Sequence, residues 1–109
     1  MLRALLGERV KSMAKVVLAS SLTRWLPQAQ RGPQGELSVD VEGDTVDQAL
    51  GSLFLLYPSL RGYVLDEQGT VRHHVAVIVE GEAIRDKQNL GQPLGERGEL
   101  YIMQALSGG

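Results

Sequence analysis

Cysteine is absent from the 109-residue chain, which excludes disulfides, thiolate nucleophiles and thiolate metal sites. The net charge of −2 argues against nucleic acid as a partner, because binding phosphates requires a basic surface. The longest uncharged apolar run, residues 16–22, is too short to span a bilayer. Apolar residues make up 43% of the chain and charged residues 22%. These proportions predict a globular, cytoplasmic protein that contacts neither membrane nor nucleic acid.

The first half of the chain predicts two strands joined by a long loop. Residues 15–19 are apolar and rich in β-branched side chains, as in a buried strand. Two prolines and two glycines in residues 27–35 indicate the loop. Residues 36–41 alternate between polar and apolar, as in a half-buried strand with its apolar side chains on one face. Because the two strands are close in sequence, we expect them to pair antiparallel.

A helix after the second strand has the clearest signals. Thr45 fits the N-cap position, Gln48 completes a capping-box pattern, and Asp47 lies where the helix dipole favours an anion. Pro58 stops the helix. The apolar residues at helical spacing are Val46, Ala49, Leu50, Leu53, Phe54 and Tyr57. They predict one stripe that is buried against the rest of the domain.

The second half of the chain predicts short strands separated by turns. In order, we expect a turn at 66–69, a strand at 71–79, a turn at 80–82, a short strand at 83–85, a loop at 86–98 and a last strand at 100–103. The loop is expected to include a helical turn near Leu90. His73 and His74 do not predict a metal site, because neighbouring residues of a strand point to opposite faces.

One helix and several strands favour a two-layer α+β fold, with a mixed sheet of four to five strands packed on the helix. We expect the last strand to lie centrally beside the first, pointing the tail away from the body. Residues 1–13 are expected to form an N-terminal extension, flexible or a short helix. The domain then covers 14–104, and residues 105–109 form a flexible tail.

Residues 45–109 resemble the β-grasp (ubiquitin-like) sulfur carriers of the MoaD/ThiS type. This family includes the small subunit of molybdopterin synthase, the thiamine sulfur carrier and the carrier of a cysteine-forming pathway. The matching segments are the helix with its stop at 46–58, the strand and turn at 75–82, Ile84-Arg85, Pro93-Leu94 and residues 105–109. The most specific feature is Gly108-Gly109, a few residues after the last predicted strand.

The resemblance implies that the reacting group is the carboxylate of Gly109. An adenylating enzyme of the ubiquitin-activating type would activate it with ATP, and sulfur from a donor would convert it to a thiocarboxylate. An acceptor enzyme or large subunit would then take the sulfur in a molybdopterin, thiamine or cysteine type pathway. The chain itself would be a carrier rather than an enzyme and would bind no cofactor or metal. In the molybdopterin case it would be the small subunit of the enzyme.

The tail suits such chemistry physically. Five extended residues, Ala105, Leu106, Ser107, Gly108 and Gly109, reach roughly 17 Å, and glycine fits narrow channels because it lacks a Cβ. A folded interface must offset the entropy lost when the tail is ordered. The expected partner contacts are Met103, Leu60 and Tyr63. Two alternatives remain open: a protein modifier conjugated through Gly109 to lysines, and a non-catalytic β-grasp interaction domain with an idle tail.

Overall fold

The computed structural model describes residues 13–23, 26, 32, 35–95 and 98–105. The described elements, in chain order, are β1 (Met13–Leu18), α1 (Ser20–Thr23), β2 (Leu37–Glu42), α2 (Val46–Leu56), a 3-10 helix (Pro58–Leu60), α3 (Arg61–Val64), β3 (Val75–Val79), β4 (Glu82–Ala83) and β5 (Glu99–Gln104). None of these helices is long and apolar enough to cross a membrane. Most of the predicted extension and most of the predicted loop at 27–35 lie outside the described residues.

The five strands form one mixed sheet in the order β2-β1-β5-β3-β4. The first two strands pair antiparallel, as predicted, with Val16 opposite Val39. β5 runs parallel to β1, with Leu18 beside Ile102, and antiparallel to β3. The prediction of a central last strand beside the first is therefore confirmed. Because β1 and β5 are parallel, the C-terminal ends of both strands lie at the same end of the sheet.

The main helix begins where the sequence predicts. Thr45 has extended backbone angles, and its side-chain oxygen accepts a hydrogen bond from the backbone N–H of Gln48 at 3.2 Å. The Gln48 side chain returns a bond to the N–H of Asp44 at 2.7 Å, one residue before the position that the capping box predicts. The helix is thus capped reciprocally, with the second bond shifted by one residue.

The loop that precedes β5 completes the start of this helix. The N–H groups of Val46 and Asp47 donate to the carbonyls of Gln92 and Leu90 at 3.0 and 2.8 Å. These bonds satisfy helix donors that have no partner within the helix. The turn expected near Leu90 lies at residues 87–88, where the N–H of Asn89 donates to the carbonyl of Asp86 at 3.3 Å, and it is not part of a helix. The side chain of Leu90 is buried.

The core lies between α2 and one face of the sheet. The predicted helix stripe is confirmed: Val46, Ala49, Leu50 and Leu53 are at most 1% exposed, and Phe54 and Tyr57 pack at the edge of the core. The sheet residues facing them alternate along each strand and include Val16, Leu18, Val77, Leu100 and Ile102. The helix therefore covers one sheet face with aliphatic side chains.

Two segments between α2 and β3 differ from the expectation. Pro58 ends α2, but the chain continues directly into a 3-10 helix and then α3, because proline is tolerated in a first helical turn. The predicted strand at 71–79 is shorter, since only Val75–Val79 joins the sheet. Val71 instead pairs with Leu65 in an isolated bridge, and residues 73–74 form a turn.

The turn at residues 80–82 is confirmed. Glu80 has φ 52° and Gly81 has φ 86°, so both central residues lie in the left-handed region. This pair of angles is the type I′ geometry that joins two antiparallel strands tightly. The turn closes the hairpin of β3 and β4, in which Val79 pairs with Glu82.

Candidate functional site

The C-terminal tail leaves the domain from a fixed point. β5 lies between β1 and β3 and pairs with both strands. The backbone N–H of Ala105 then donates to the carbonyl of His74 at 2.7 Å, just after the strand ends. Leu106, Ser107, Gly108 and Gly109 lie outside the described residues. Ala105 is therefore the last described residue, and its hydrogen bond to His74 fixes its position beside the sheet.

The sheet face opposite α2 carries a row of small and apolar side chains. Val17 pairs with Ser38 of β2 and with Tyr101 of β5. Tyr101 pairs in turn with Ile78 of β3, and Ile78 with Ala83 of β4. Strand alternation places these residues on the face that points away from the helix. One residue from each of the five strands thus forms a continuous row across the sheet.

Toward the tail, this row continues into a second apolar pair. Met103 of β5 lies opposite Ala76 of β3, one alternation closer to Ala105. We call the partly exposed residues Val17, Ala76, Ile78, Tyr101 and Met103 the apolar strip. The strip ends next to the point where the tail begins. A partly exposed apolar surface of this kind is a candidate contact site.

Charged residues border the apolar strip on the side away from the tail. Lys15 pairs with Asp40 on β2 and with Glu99 on β5. Its ammonium nitrogen lies 3.9 Å from a carboxylate oxygen of Glu99, and both side chains are more than half exposed. An exposed pair of this kind adds little stability. It does give the open face a polar end and an apolar end, with the tail at the apolar end.

The three residues expected to contact a partner differ in their exposure. Met103 lies in the apolar strip, and Tyr63 is partly exposed and packs edge-on against His74 with the ring centroids 5.4 Å apart. Leu60 is only 1% exposed, so the expectation that it contacts a partner is wrong. The 3-10 helix after Pro58 carries this side chain into the core.

Two exposed leucines at the end of α2 were missed by the sequence reasoning. Leu55 is 84% exposed and Leu56 is 58% exposed. Their signal was available in the sequence, since neither residue belongs to the predicted apolar stripe. They lie on the side of the helix that faces away from the sheet, so they do not belong to the apolar strip.

The two neighbouring histidines occupy a turn rather than a strand, so the strand geometry expected for them is wrong. Their rings meet edge to face with centroids 5.9 Å apart. Within the part of the chain that the structure describes, no three histidine, aspartate or glutamate side chains cluster as a metal site would require. The turn contacts the end of β5 through the carbonyl of His74, which accepts from the N–H of Ala105.

Asp66 begins the predicted turn at 66–69. One of its carboxylate oxygens accepts hydrogen bonds from the N–H groups of Thr70 at 3.0 Å and Gln68 at 2.8 Å. The bond from Thr70 is the main cause that lowers the pKa of Asp66, and the charge of Arg72 acts in the same direction. The carboxylate therefore stabilises the turn at 66–69 in its ionised form.

No family model matches the chain. The chain is 36% identical over 72 residues to small archaeal modifier protein 1 of Haloferax volcanii. This alignment covers 65% of the chain and 78% of the relative. The crystal structure of the Haloferax volcanii protein superposes with a TM-score of 0.63 at 28% identity, covering 89% of this chain and 99% of that one.

A bacterial structure shares the fold at lower sequence identity. The crystal structure of the BexX/CysO complex of Amycolatopsis orientalis matches with a TM-score of 0.65 at 21% identity, covering 86% of this chain and 99% of the matched chain. Identity at this level supports the fold alone, whereas the archaeal relative is similar in sequence over most of its length. The chain therefore belongs to the family of small archaeal modifier protein 1 and has its ubiquitin-like β-grasp fold.

Proposed function

We propose that this protein is a sulfur carrier whose Gly109 carboxylate is adenylated and converted to a thiocarboxylate. The thiocarboxylate donates sulfur in a molybdopterin, thiamine or cysteine type pathway. The observation that supports this proposal is the placement of β5 between β1 and β3, with Ala105 hydrogen-bonded to His74 four residues before Gly109. A rigid domain that presents a short glycine-ended tail from its central strand suits delivery of a carboxylate to another protein's active site.

The proposed chemistry has two steps, and each step releases one leaving group. A carboxylate is a poor electrophile, because it is anionic and has no leaving group. In the first step, a carboxylate oxygen of Gly109 attacks the α-phosphorus of ATP on the partner enzyme, and pyrophosphate leaves. In the second step, hydrosulfide released by the sulfur donor attacks the carbonyl carbon of the mixed anhydride, AMP leaves, and loss of the S–H proton gives the thiocarboxylate. The chain has no cysteine, so no thiol of its own competes for the activated carbonyl.

Docking of the folded domain is the second requirement. Ordering the tail costs about 1–2 kcal/mol per residue, which contacts elsewhere must offset. The apolar strip is the surface we assign to these contacts, since it lies on the open sheet face and Met103 is two residues from Ala105. The adenylating enzyme and the acceptor enzyme or large subunit use this strip in turn.

Intact-mass spectrometry tests the proposal. The protein is incubated with an adenylating enzyme from its own genome, ATP and a sulfur donor. We expect the mass increase that accompanies replacement of one oxygen by sulfur. The matched controls are a chain lacking Gly109 and a chain extended by alanine after Gly109, neither of which should be loaded. Absence of the increase under conditions that load a known carrier would contradict the proposal.

A second candidate function is supported by the archaeal relative, which is a modifier protein. In this case the activated Gly109 carbonyl forms an amide with a lysine of another protein. Tryptic digestion would leave residues 98–109 on the modified lysine, because Arg97 is the last cleavage site. Conjugates carrying this remnant would support the modifier function. Detection of the thiocarboxylate without any conjugates would support the carrier function and not the modifier function. Unchanged function after deletion of Gly108-Gly109 would instead indicate an interaction domain with an idle tail.

A further inference from the structure

Lys87 connects the loop before β5 to the segment that leads into β3. Its ammonium group donates to the carbonyls of Val75 at 2.8 Å and of Arg72 and His73 at 3.3 Å each. Its own carbonyl accepts from the N–H of Val71 at 3.0 Å. An ammonium group has three hydrogens, so these three carbonyls match its donor capacity. The side chain is half-buried, which makes each of these contacts costly to lose.

The remaining carbonyl of this segment has a different partner. Between the residues whose carbonyls point to Lys87, His74 directs its own carbonyl to the N–H of Ala105 at 2.7 Å. The turn is also held by the N–H of Val75, which donates to the carbonyl of Arg72 at 3.0 Å. The conformation that serves Lys87 is therefore the same conformation that holds the first residue after β5.

We propose that Lys87 is a positioning residue for the C-terminal tail. It fixes the turn at 72–75 in the shape that presents the His74 carbonyl to Ala105, and through this bond it sets where the tail leaves the sheet. Its effect on activation rests on the proposed function, because a tail that starts from a variable point reaches the adenylating site less often. Its effect on the Ala105 hydrogen bond does not depend on any activity.

Amide hydrogen exchange measured by NMR tests the inference in the full chain. In Lys87→Met we expect the amide of Ala105 to exchange about tenfold faster than in the wild type, because the three carbonyls lose a charged donor. The reference is the amide of Ala19, which donates to Ile102 at 2.9 Å at the same end of the sheet but on the other side of β5. Its exchange should change little.

Two further variants make the result specific. Lys87→Arg keeps a cationic donor in a planar geometry and should give an intermediate acceleration at Ala105. This variant carries the test if Lys87→Met does not fold. Lys15→Met removes an exposed lysine at the opposite end of the sheet and should leave Ala105 unchanged. Equal acceleration of Ala105 and Ala19, or no acceleration of either, would overturn the inference.

Adenylation kinetics provide the functional measurement. We expect Lys87→Met to raise KM for the carrier while kcat changes little, because positioning affects productive docking rather than the reaction of the bound carboxylate. Failure of the wild type to be adenylated would contradict the proposed function, whereas the exchange experiment would still decide the role of Lys87. A decrease in kcat with an unchanged KM would contradict the proposal that Lys87 positions the tail before docking.

Discussion

The two faces of the sheet are made from alternate residues of the same strands, yet they differ in composition and surroundings. On the covered face, Leu100 and Ile102 of β5 are fully buried beneath α2. On the open face, Tyr101 and Met103 of the same strand are partly exposed. The strand that stabilises the core through one set of side chains therefore presents a candidate docking surface through the other set.

We therefore expect substitutions on the covered face to change stability and substitutions on the open face to change partner binding. Side-chain alternation assigns each residue to one face, so a substitution on one face leaves the other face in place. Variants that affect folding should come from the covered face and its helix. Variants that affect partner binding should come from the apolar strip.

The largest effect is expected at the helix that covers the sheet. Leu53→Ala should lower the free energy of unfolding by about 2–5 kcal/mol, because it leaves a cavity at a fully buried position. The matched control is Leu55→Ala, two residues away on the exposed side of the helix, which should change stability by less than about 0.5 kcal/mol. Urea denaturation measures both values. Similar losses for the two variants would contradict the assignment of faces.

A smaller effect, on binding rather than folding, is expected at the centre of the apolar strip. Tyr101→Ala should raise the Kd for the adenylating enzyme about tenfold or more, because central aromatic residues contribute strongly to interfaces. Its melting temperature should stay close to that of the wild type. Ser38→Ala, in the same row at the sheet edge, is the control and should bind normally. Isothermal titration calorimetry measures the affinities, and unchanged binding by Tyr101→Ala would argue against docking through this face.

Substitution by alanine should change the stability of the protein in opposite directions at two glycines. A Cβ at Gly43 would lie 2.6 Å from the backbone nitrogen of Ala49, so Gly43→Ala should destabilise the start of α2. Gly51 lies within the helix with open space around it, so Gly51→Ala should stabilise the protein by about 1 kcal/mol. Thermal denaturation distinguishes the two. Stabilisation by both would show that the helix sits less closely on the sheet than the structure indicates.

The smallest effect is expected at the Asp66 turn, which belongs to neither face. Because hydrogen bonding lowers the pKa of Asp66 in the folded state, its contribution is present above pH about 4 and disappears as the pH falls through the folded pKa. Asp66→Asn should therefore lower the melting temperature slightly at pH 7, and this difference should vanish near pH 2. A difference that is the same at both pH values would show that ionisation of Asp66 is not its cause.

Local patterns were sufficient to predict most of the fold. The cap at Thr45, the helix stripe, the tight turn at Gly81 and the alternation predicted at 36–41, which the structure shows in β2, are all confirmed. Each depends on residues within a few positions of one another, so the sequence carries the information directly. The central position of β5 was also predictable, because it followed from the fold class that these elements favour.

Features that depend on distant contacts were not predictable in the same way. Leu60 was expected at the surface, but the short helices after Pro58 direct it into the core. The run from Val71 reads as one strand, but contacts with Lys87 hold its first part as a turn. In the second case a partner far along the chain overrides the local preference for β-structure.

Local patterns in the sequence were enough to indicate the class of the domain. Periodicity and caps specify the elements through short-range sterics and hydrogen bonds, whereas the proposed reaction at the Gly109 carboxylate rests on the resemblance of residues 45–109 to the sulfur carriers. The tertiary structure was needed to show which side chains share the open face, that Lys87 donates to the segment before β3, and that the carbonyl of His74 accepts from the N–H of Ala105. Those relations depend on strand register and on contacts between residues far apart in the chain, which no local pattern records.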